Sequence, residues 1–136
     1  MTIPAPLEMF DLGISLDEGL VDMARIARVL ADAGINIDAV RCTSFTSPTT
    51  CHFLVEHGAN ACGVLDTAGI TAVTCRPVLV YTLPNRPGTL ARYTQALLSR
   101  GVAIDFLYQA TAKGVVVGAA DLDGVRDAFN AASTAA

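Results

Sequence analysis

The sequence predicts an α+β fold in which one unit, strand–helix–strand–strand–helix–strand, is written twice. Three observations carry this. First, Leu30-Ala31-Asp32-Ala33-Gly34-Ile35-Asn36-Ile37-Asp38 aligns with Leu97-Leu98-Ser99-Arg100-Gly101-Val102-Ala103-Ile104-Asp105 at a constant offset of 67 residues. Leu, Gly, Ile and Asp coincide between them, and a repeat of this length points to two copies of one supersecondary unit. Second, Met23, Ile26, Ala27 and Leu30 stand at i, i+3, i+4 and i+7, as do Leu90, Tyr93, Thr94 and Leu97. That spacing is the buried stripe of an amphipathic helix. Third, Gly34 and Gly101 each fall where such a helix needs a left-handed stop.

The elements follow in order. In the first copy, a strand at residues 9–16 precedes a helix at 19–33. Two β-rich stretches, 35–45 and 51–56, form a pair with its tip around Ser47-Pro48-Thr49. A short helix at 61–68 and a fourth strand at 71–75 close the copy. In the second copy, a strand at 78–83 leads to a helix at 87–100. A β-rich pair, 102–110 and 115–119, turns tightly at Lys113-Gly114. A helix at 122–132 comes last, and Ser133-Thr134-Ala135-Ala136 shows no fourth strand. Gly63-Val64 matches Gly124-Val125 at an offset of 61, so the second copy is shorter at its hairpin, where length changes cost little. The expected domains are residues 1–76 and 77–136. The element order is the split βαβ, or ferredoxin-like, unit, with helices on one face of the sheet. A unit of this size is marginal alone, so pairing of the copies is expected to enlarge the core.

Composition excludes several function classes. Of 136 residues, 9 are Lys or Arg and 13 are Asp or Glu, a formal charge of −4. Phosphate neutralisation needs clustered cations, so nucleic acid is not an expected partner. Hydrophobic residues are 52% of the chain, enough for a packed core, yet no long apolar run reads as a membrane span. Residues 1–10 lack the pattern of a secretory signal, so a cytoplasmic location is expected. Cys42, Cys51, Cys62 and Cys75 form no Cys-x-x-Cys pair, and in a reducing compartment they read as packed thiols. Cys42 and Cys51 would be neighbours across the hairpin if its turn centres near Ser47. His52 and His57 point to opposite faces of a regular strand, so no metal is expected. There is no nucleophile elbow, phosphate loop or dinucleotide fingerprint, and neither an enzyme nor a cofactor is expected.

The strongest motif is Leu83-Pro84-Asn85-Arg86-Pro87-Gly88-Thr89-Leu90, followed by Leu97 and Gly101-Val102-Ala103-Ile104. With Gly34-Ile35-Asn36-Ile37 of the first copy, it resembles the ACT-domain family over residues 9–132. Members typically show Asn or Asp, any residue, Pro-Gly, a helix, then Gly-Ile/Val-Asn-Ile. The resemblance implies a tandem, free-standing regulatory protein that binds an amino acid. Physical chemistry favours a carboxylate at this loop. Pro87 suits a first helical turn. Gly88 lets a ligand approach the backbone. The N–H groups and dipole of the helix start attract negative charge. Asn85 both donates and accepts.

The copies differ at this loop. Leu20 and Val21 face Pro87 and Gly88 at the offset of 67, Gly19 falls two residues early, and Asp17 and Glu18 put negative charge at the mouth. Conversely, Ala103 stands where the first copy keeps Asn36. In paired ACT domains a ligand commonly sits between one copy's loop and the other's second strand. The expectation is one composite site of Asn85, Arg86, Pro87, Gly88, Thr89 and Leu90 with Ile35, Asn36 and Ile37. Its ligand is a free amino acid, and binding shifts a conformational or assembly equilibrium. The open sheet edge of the second copy makes a homodimer the expected assembly. The competing reading is an interaction subunit that binds a metabolic enzyme and needs no small ligand.

Overall fold

The structure, a computed structural model, describes residues 2–46, 48–111 and 114–134. The elements run β1 (Leu7–Leu16), α1 (Leu20–Asp32), β2 (Ala39–Arg41), β3 (Thr49–Val55), α2 (Gly58–Thr67), β4 (Thr74–Thr82), α3 (Thr89–Ser99), β5 (Phe106–Gln109), β6 (Gly114–Gly118) and α4 (Leu122–Thr134). Contacts divide the chain into a first unit, Glu8–Pro77, and a second comprising residues 2–7 and 78–134. Ser47 of the first hairpin tip, Lys113 of the second turn, and Ala135 and Ala136 of the tail lie outside the described residues. Among those described, no helix is long and apolar enough to cross a membrane.

In the first unit the strand order is β2-β3-β1, with the start of β4 next to β1. There the Val73 N–H donates to the Gly13 carbonyl at 2.8 Å. β1 and β3 pair antiparallel with Leu12 opposite Phe53 and Ile14 opposite Cys51. Alternate residues of a strand share a face, so Leu12, Ile14 and Leu16 form one apolar row. That row, with Phe53 and Val55, packs against Ile26 and Leu30 of α1 and Ala61 and Leu65 of α2.

In the second unit the order is β4-β6-β5, antiparallel throughout, with Tyr81 opposite Val115 and Tyr108 opposite Val116. Leu79, Tyr81, Val115 and Val117 meet Tyr93 and Leu97 of α3 and Val125, Ala128 and Phe129 of α4. Ile3 from the N-terminal residues packs on the same core.

Several boundaries differ from the expected ones. The strands expected at 35–45 and 102–110 shrink to Ala39–Arg41 and Phe106–Gln109. The lost residues are helix-exit chain. Gly34 and Gly101 adopt φ of 73° and 67°, and the next amides, Ile35 and Val102, bond back to Leu30 and Leu97. Pairing resumes only at Asp38, whose N–H donates to Leu54 O, and at Asp105, whose N–H donates to Gly118 O. The strands expected at 71–75 and 78–83 are one strand, β4. Pro77 does not break it because the β4–β6 ladder starts beyond it, at Leu79, so the missing N–H removes no bond of that ladder. The last helix runs past Ala132 to Thr134. Ser133 is buried, donates to Phe129 O, and meets the Tyr93 hydroxyl at 3.0 Å.

The expectation of four packed thiols is also corrected. Cys42 and Cys51 form a disulfide, with Cα atoms 4.6 Å apart. The register explains it: Arg41 faces His52, so the next pair along the antiparallel ladder is Cys42 and Cys51.

Tyr81 gives the first testable consequence. It is 1% exposed, and its hydroxyl finds no hydrogen-bond partner among the described residues. Burial pushes its phenol up to about 12 from 10.0, against a smaller opposing pull from Arg126. The folded state therefore favours the neutral phenol. Its stabilising contribution is whole below pH 10 and is lost as pH rises towards 12. Tyr81→Phe removes an unpaired buried oxygen and should stabilise by about 1 kcal/mol. Urea unfolding at pH 7 should show that gain, and at pH 11 a larger one. A loss of stability at pH 7 would mean the hydroxyl has a partner.

Candidate functional site

β4 and β5 run parallel to each other, because each is antiparallel to the β6 strand between them. Their C-terminal ends therefore lie at the same end of the second unit's sheet. The loop after β4 and the end of β5 enclose a cavity of about 550 Å³ there. Its loop side is Leu83, Pro84, Asn85, Arg86, Thr89 and Leu90. Its sheet side is Leu107, Tyr108, Gln109, Ala110 and Val115. The size suits a small metabolite. These described lining residues include one guanidinium and no carboxylate.

The loop itself is tightly built. The Arg86 N–H donates to Pro84 O at 3.1 Å, and the Thr89 N–H to Arg86 O at 3.3 Å. Gly88 is the N-cap of α3, with φ of 90°, and no side chain caps this helix end. The left-handed cap means Pro87 lies before the helix, not in its first turn as expected, and α3 begins at Thr89. The first N–H groups of any helix lack intrahelical acceptors, and the dipole there favours an anion. A second cavity, of about 320 Å³, lies against this cap. Pro84, Arg86, Pro87, Gly88, Thr89, Arg92 and Tyr93 line it. The expected loop residues from Asn85 to Leu90 are thus all placed around two cavities that share Pro84, Arg86 and Thr89.

The first unit's equivalent turn is built differently. Gly19 is the N-cap of α1, also at positive φ, 59°. Gly19 therefore holds the place of Gly88, and the offset of 67 does not carry through this loop. The two residues of difference are absorbed between strand and helix. A Cβ at Gly88 would meet nothing within 4 Å, whereas one at Gly19 would run into the Phe45 carbonyl oxygen. The chain near Phe45 thus closes over the first turn, while the second stays open. Asp22 Oδ2 also accepts the N–H of Glu18, the residue before the cap, at 2.7 Å. A cavity of about 310 Å³ beside this turn is lined by Asp17, Asp22 and Arg25 among others, and the Arg25 guanidinium donates to Ala68 O.

Ile35, Asn36 and Ile37 belong to the first unit. Ile35 and Ile37 are half-buried against its core. Asn36 is exposed, and its Nδ2 donates to Asp38 Oδ1 at 2.9 Å. Sequence reasoning missed the sheet wall of the large cavity, Leu107 to Ala110. The parallel relation of first and second strands within a copy was the available signal. It also missed Asp11, which is fully buried on β1 with its carboxylate 2.8 Å from His52 Nδ1. An acid inside an apolar strand was the sign. His57 is exposed beside Glu56, and no group of three metal-ligating side chains occurs among the described residues.

Solved structures share this architecture. Protein BT0572 from Bacteroides thetaiotaomicron superposes with a TM-score of 0.75 at 19% identity, over 93% of this chain and 88% of that one. The ligand-free regulatory subunit of aspartate kinase from Thermus thermophilus gives 0.70 at 21% identity, over 97% of each chain. The regulatory subunit of aspartate kinase from Thermus flavus gives 0.66 at 20% identity, over 97% and 99%. The chain shares the α+β fold of these regulatory subunits. No family model matches the sequence, and no curated protein does.

Proposed function

We propose that this chain is a non-catalytic regulatory protein, two tandem ferredoxin-like ACT repeats, that senses a free amino acid at the loop from Asn85 to Leu90. The observation that carries the reading is the open Gly88 cap beside Arg86, set against the closed Gly19 cap of the first unit. The ligand carboxylate lies at the start of α3, where Arg86 and the helix dipole oppose its charge. Its side chain takes the apolar wall of Leu90, Leu107 and Val115. Ile35, Asn36 and Ile37 are ligand-binding residues in the same reading. Binding favours one conformational or assembly state, such as a homodimer, and a metabolic enzyme receives the signal. The fold shared with regulatory subunits of aspartate kinase supports the regulatory role.

The test is thermal unfolding against each of the twenty amino acids. Ligand at a hundredfold excess over Kd stabilises the native state by about 2.7 kcal/mol. One or two amino acids should raise Tm, and Asn85→Ala, Arg86→Ala and Asn36→Ala should each reduce the rise. A flat panel overturns the reading and favours the alternative, a subunit that docks on a metabolic enzyme without a small ligand. Leu90 and Leu98 of α3, 56% and 77% exposed, are the surface that favours that alternative. Capture of the enzyme by the wild type, weakened in Leu98→Asp, would establish it.

A further inference from the structure

The first unit covers its helix start with chain that a covalent bond holds down. β2 is an edge strand of three residues, and its register with β3 ends where Arg41 faces His52. The next link between the two strands is the Cys42–Cys51 disulfide. β3 is held independently, because β1 pairs with it as far as Thr49. Phe45 stands between these two anchors, and its carbonyl oxygen occupies the place a Cβ at Gly19 would need. Gly19 is buried, whereas Gly88, the corresponding cap of the second unit, is exposed.

We propose that Cys42–Cys51 is a reversible thiol–disulfide site, opened by a low-molecular-weight dithiol, and that the closed bond keeps Phe45 over Gly19. This role is separate from amino-acid binding in the second unit. Cys51 has no exposure and Cys42 is half-buried, so the reagent reaches the Cys42 sulfur. A reagent thiolate attacks that sulfur and forms a mixed disulfide. The Cys51 sulfur leaves with the bonding pair and takes a proton. The second reagent thiolate then attacks the reagent sulfur of the mixed disulfide, and Cys42 leaves and is protonated in turn. The protein gains two electrons and two protons, and the dithiol loses them and closes to a cyclic disulfide.

Both states have a place in the structure. Cys51 lies in the first core with Ile14 and Phe53, where a thiol packs as a small hydrophobe. Cys42 Sγ lies 3.1 Å from the Ser44 carbonyl oxygen. A disulfide sulfur has no proton for that oxygen, whereas a Cys42 thiol donates to it. Reduction thus exchanges a cross-strand link for a contact within the turn itself. The β2–β3 and β1–β3 ladders do not involve the bond, so what opens is the chain around Phe45, a local opening short of unfolding.

The experiment compares the full chain before and after dithiothreitol under native conditions. Intact mass should rise by two hydrogens, and peptide mapping after acid quench and alkylation should place the new thiols at Cys42 and Cys51. Amide hydrogen exchange should then quicken by about tenfold or more in residues 17–23. There the Val21 and Met23 N–H groups donate to Glu18 O and Gly19 O. Exchange in residues 86–92, around Gly88, should not change. Cys42→Ser should exchange like the reduced wild type, with or without dithiothreitol. Replacing dithiothreitol with oxidised glutathione should restore the Cys42–Cys51 cross-linked peptide and the slow exchange. A wild type with no such link, a bond that opens only in denaturant, a reduced chain that loses the circular dichroism spectrum of the oxidised one, or unchanged exchange in residues 17–23 after reduction overturns the proposal.

Discussion

Phe129→Ala should destabilise the protein by roughly 3–5 kcal/mol, the range for removing a fully buried phenylalanine. Phe129 is 1% exposed at the centre of the second core. Its ring lies 4.4 Å from that of Tyr81 and 4.9 Å from that of Tyr93, both tilted, an arrangement favoured beyond area burial alone. The loss would spread further than a cavity. The Phe129 carbonyl accepts from Ser133, whose hydroxyl meets Tyr93, so this aromatic cluster also orients a buried polar pair. Tyr93 lines the cavity at Gly88, which couples the core to the loop proposed to hold the ligand. The variant should therefore lose both urea stability and any amino-acid-induced rise in Tm. A cost below about 1 kcal/mol would show that the core closes over the gap, contrary to the range for such deletions.

His52→Ala should cost about 3 kcal/mol. Asp11 has no exposure, and His52 Nδ1 lies 2.8 Å from its carboxylate. Alternation along β1 puts Asp11 on the sheet face opposite Leu12 and Ile14, away from α1 and α2. Removing the imidazole takes one partner away from a buried carboxylate. The penalty for breaking a buried pair is roughly 3–5 kcal/mol, and the 21% exposure of His52 sets the lower end here. Replacing both residues, Asp11→Leu with His52→Leu, should recover most of that loss, because the desolvated charge is then gone as well. Equal stability of His52→Ala and wild type in urea would mean that the pair holds nothing in place.

Other expectations met different fates. The stripes Met23-Ile26-Ala27-Leu30 and Leu90-Tyr93-Thr94-Leu97 were legible because helical period alone selects a face. Within them Ile26, Leu30, Tyr93 and Leu97 are buried, while Leu90 is exposed and lines the large cavity instead. The glycine stops at Gly34 and Gly101 were legible because positive φ excludes most other residues. The start of α3 was misread at Pro87, since a proline that fits a first turn also fits the turn before it. The nearness of Cys42 and Cys51 was legible for a hairpin turn near Ser47, but their disulfide was not, because a reducing compartment was expected to leave packed thiols. The loop from Asn85 to Leu90 was singled out in the sequence, but the wall across its cavity was not, because Leu107 to Ala110 reach it through the order β4-β6-β5.

The sequence by itself determined the repeat, the α+β class, the helix faces and their stops, and the loop that carries Asn85, Arg86 and Gly88. These depend on local period and on backbone freedom at single residues, both of which are written residue by residue. Only the tertiary structure decided which of the two helix starts is open, which cysteines meet, and what surrounds Asp11. Phe45 closes over Gly19 from 26 positions away, Cys42 is joined to Cys51 across the β2–β3 ladder, and His52 reaches Asp11 from another strand. Such contacts depend on strand order and register, which are set by the packing of the whole core and leave no mark in any short stretch of chain.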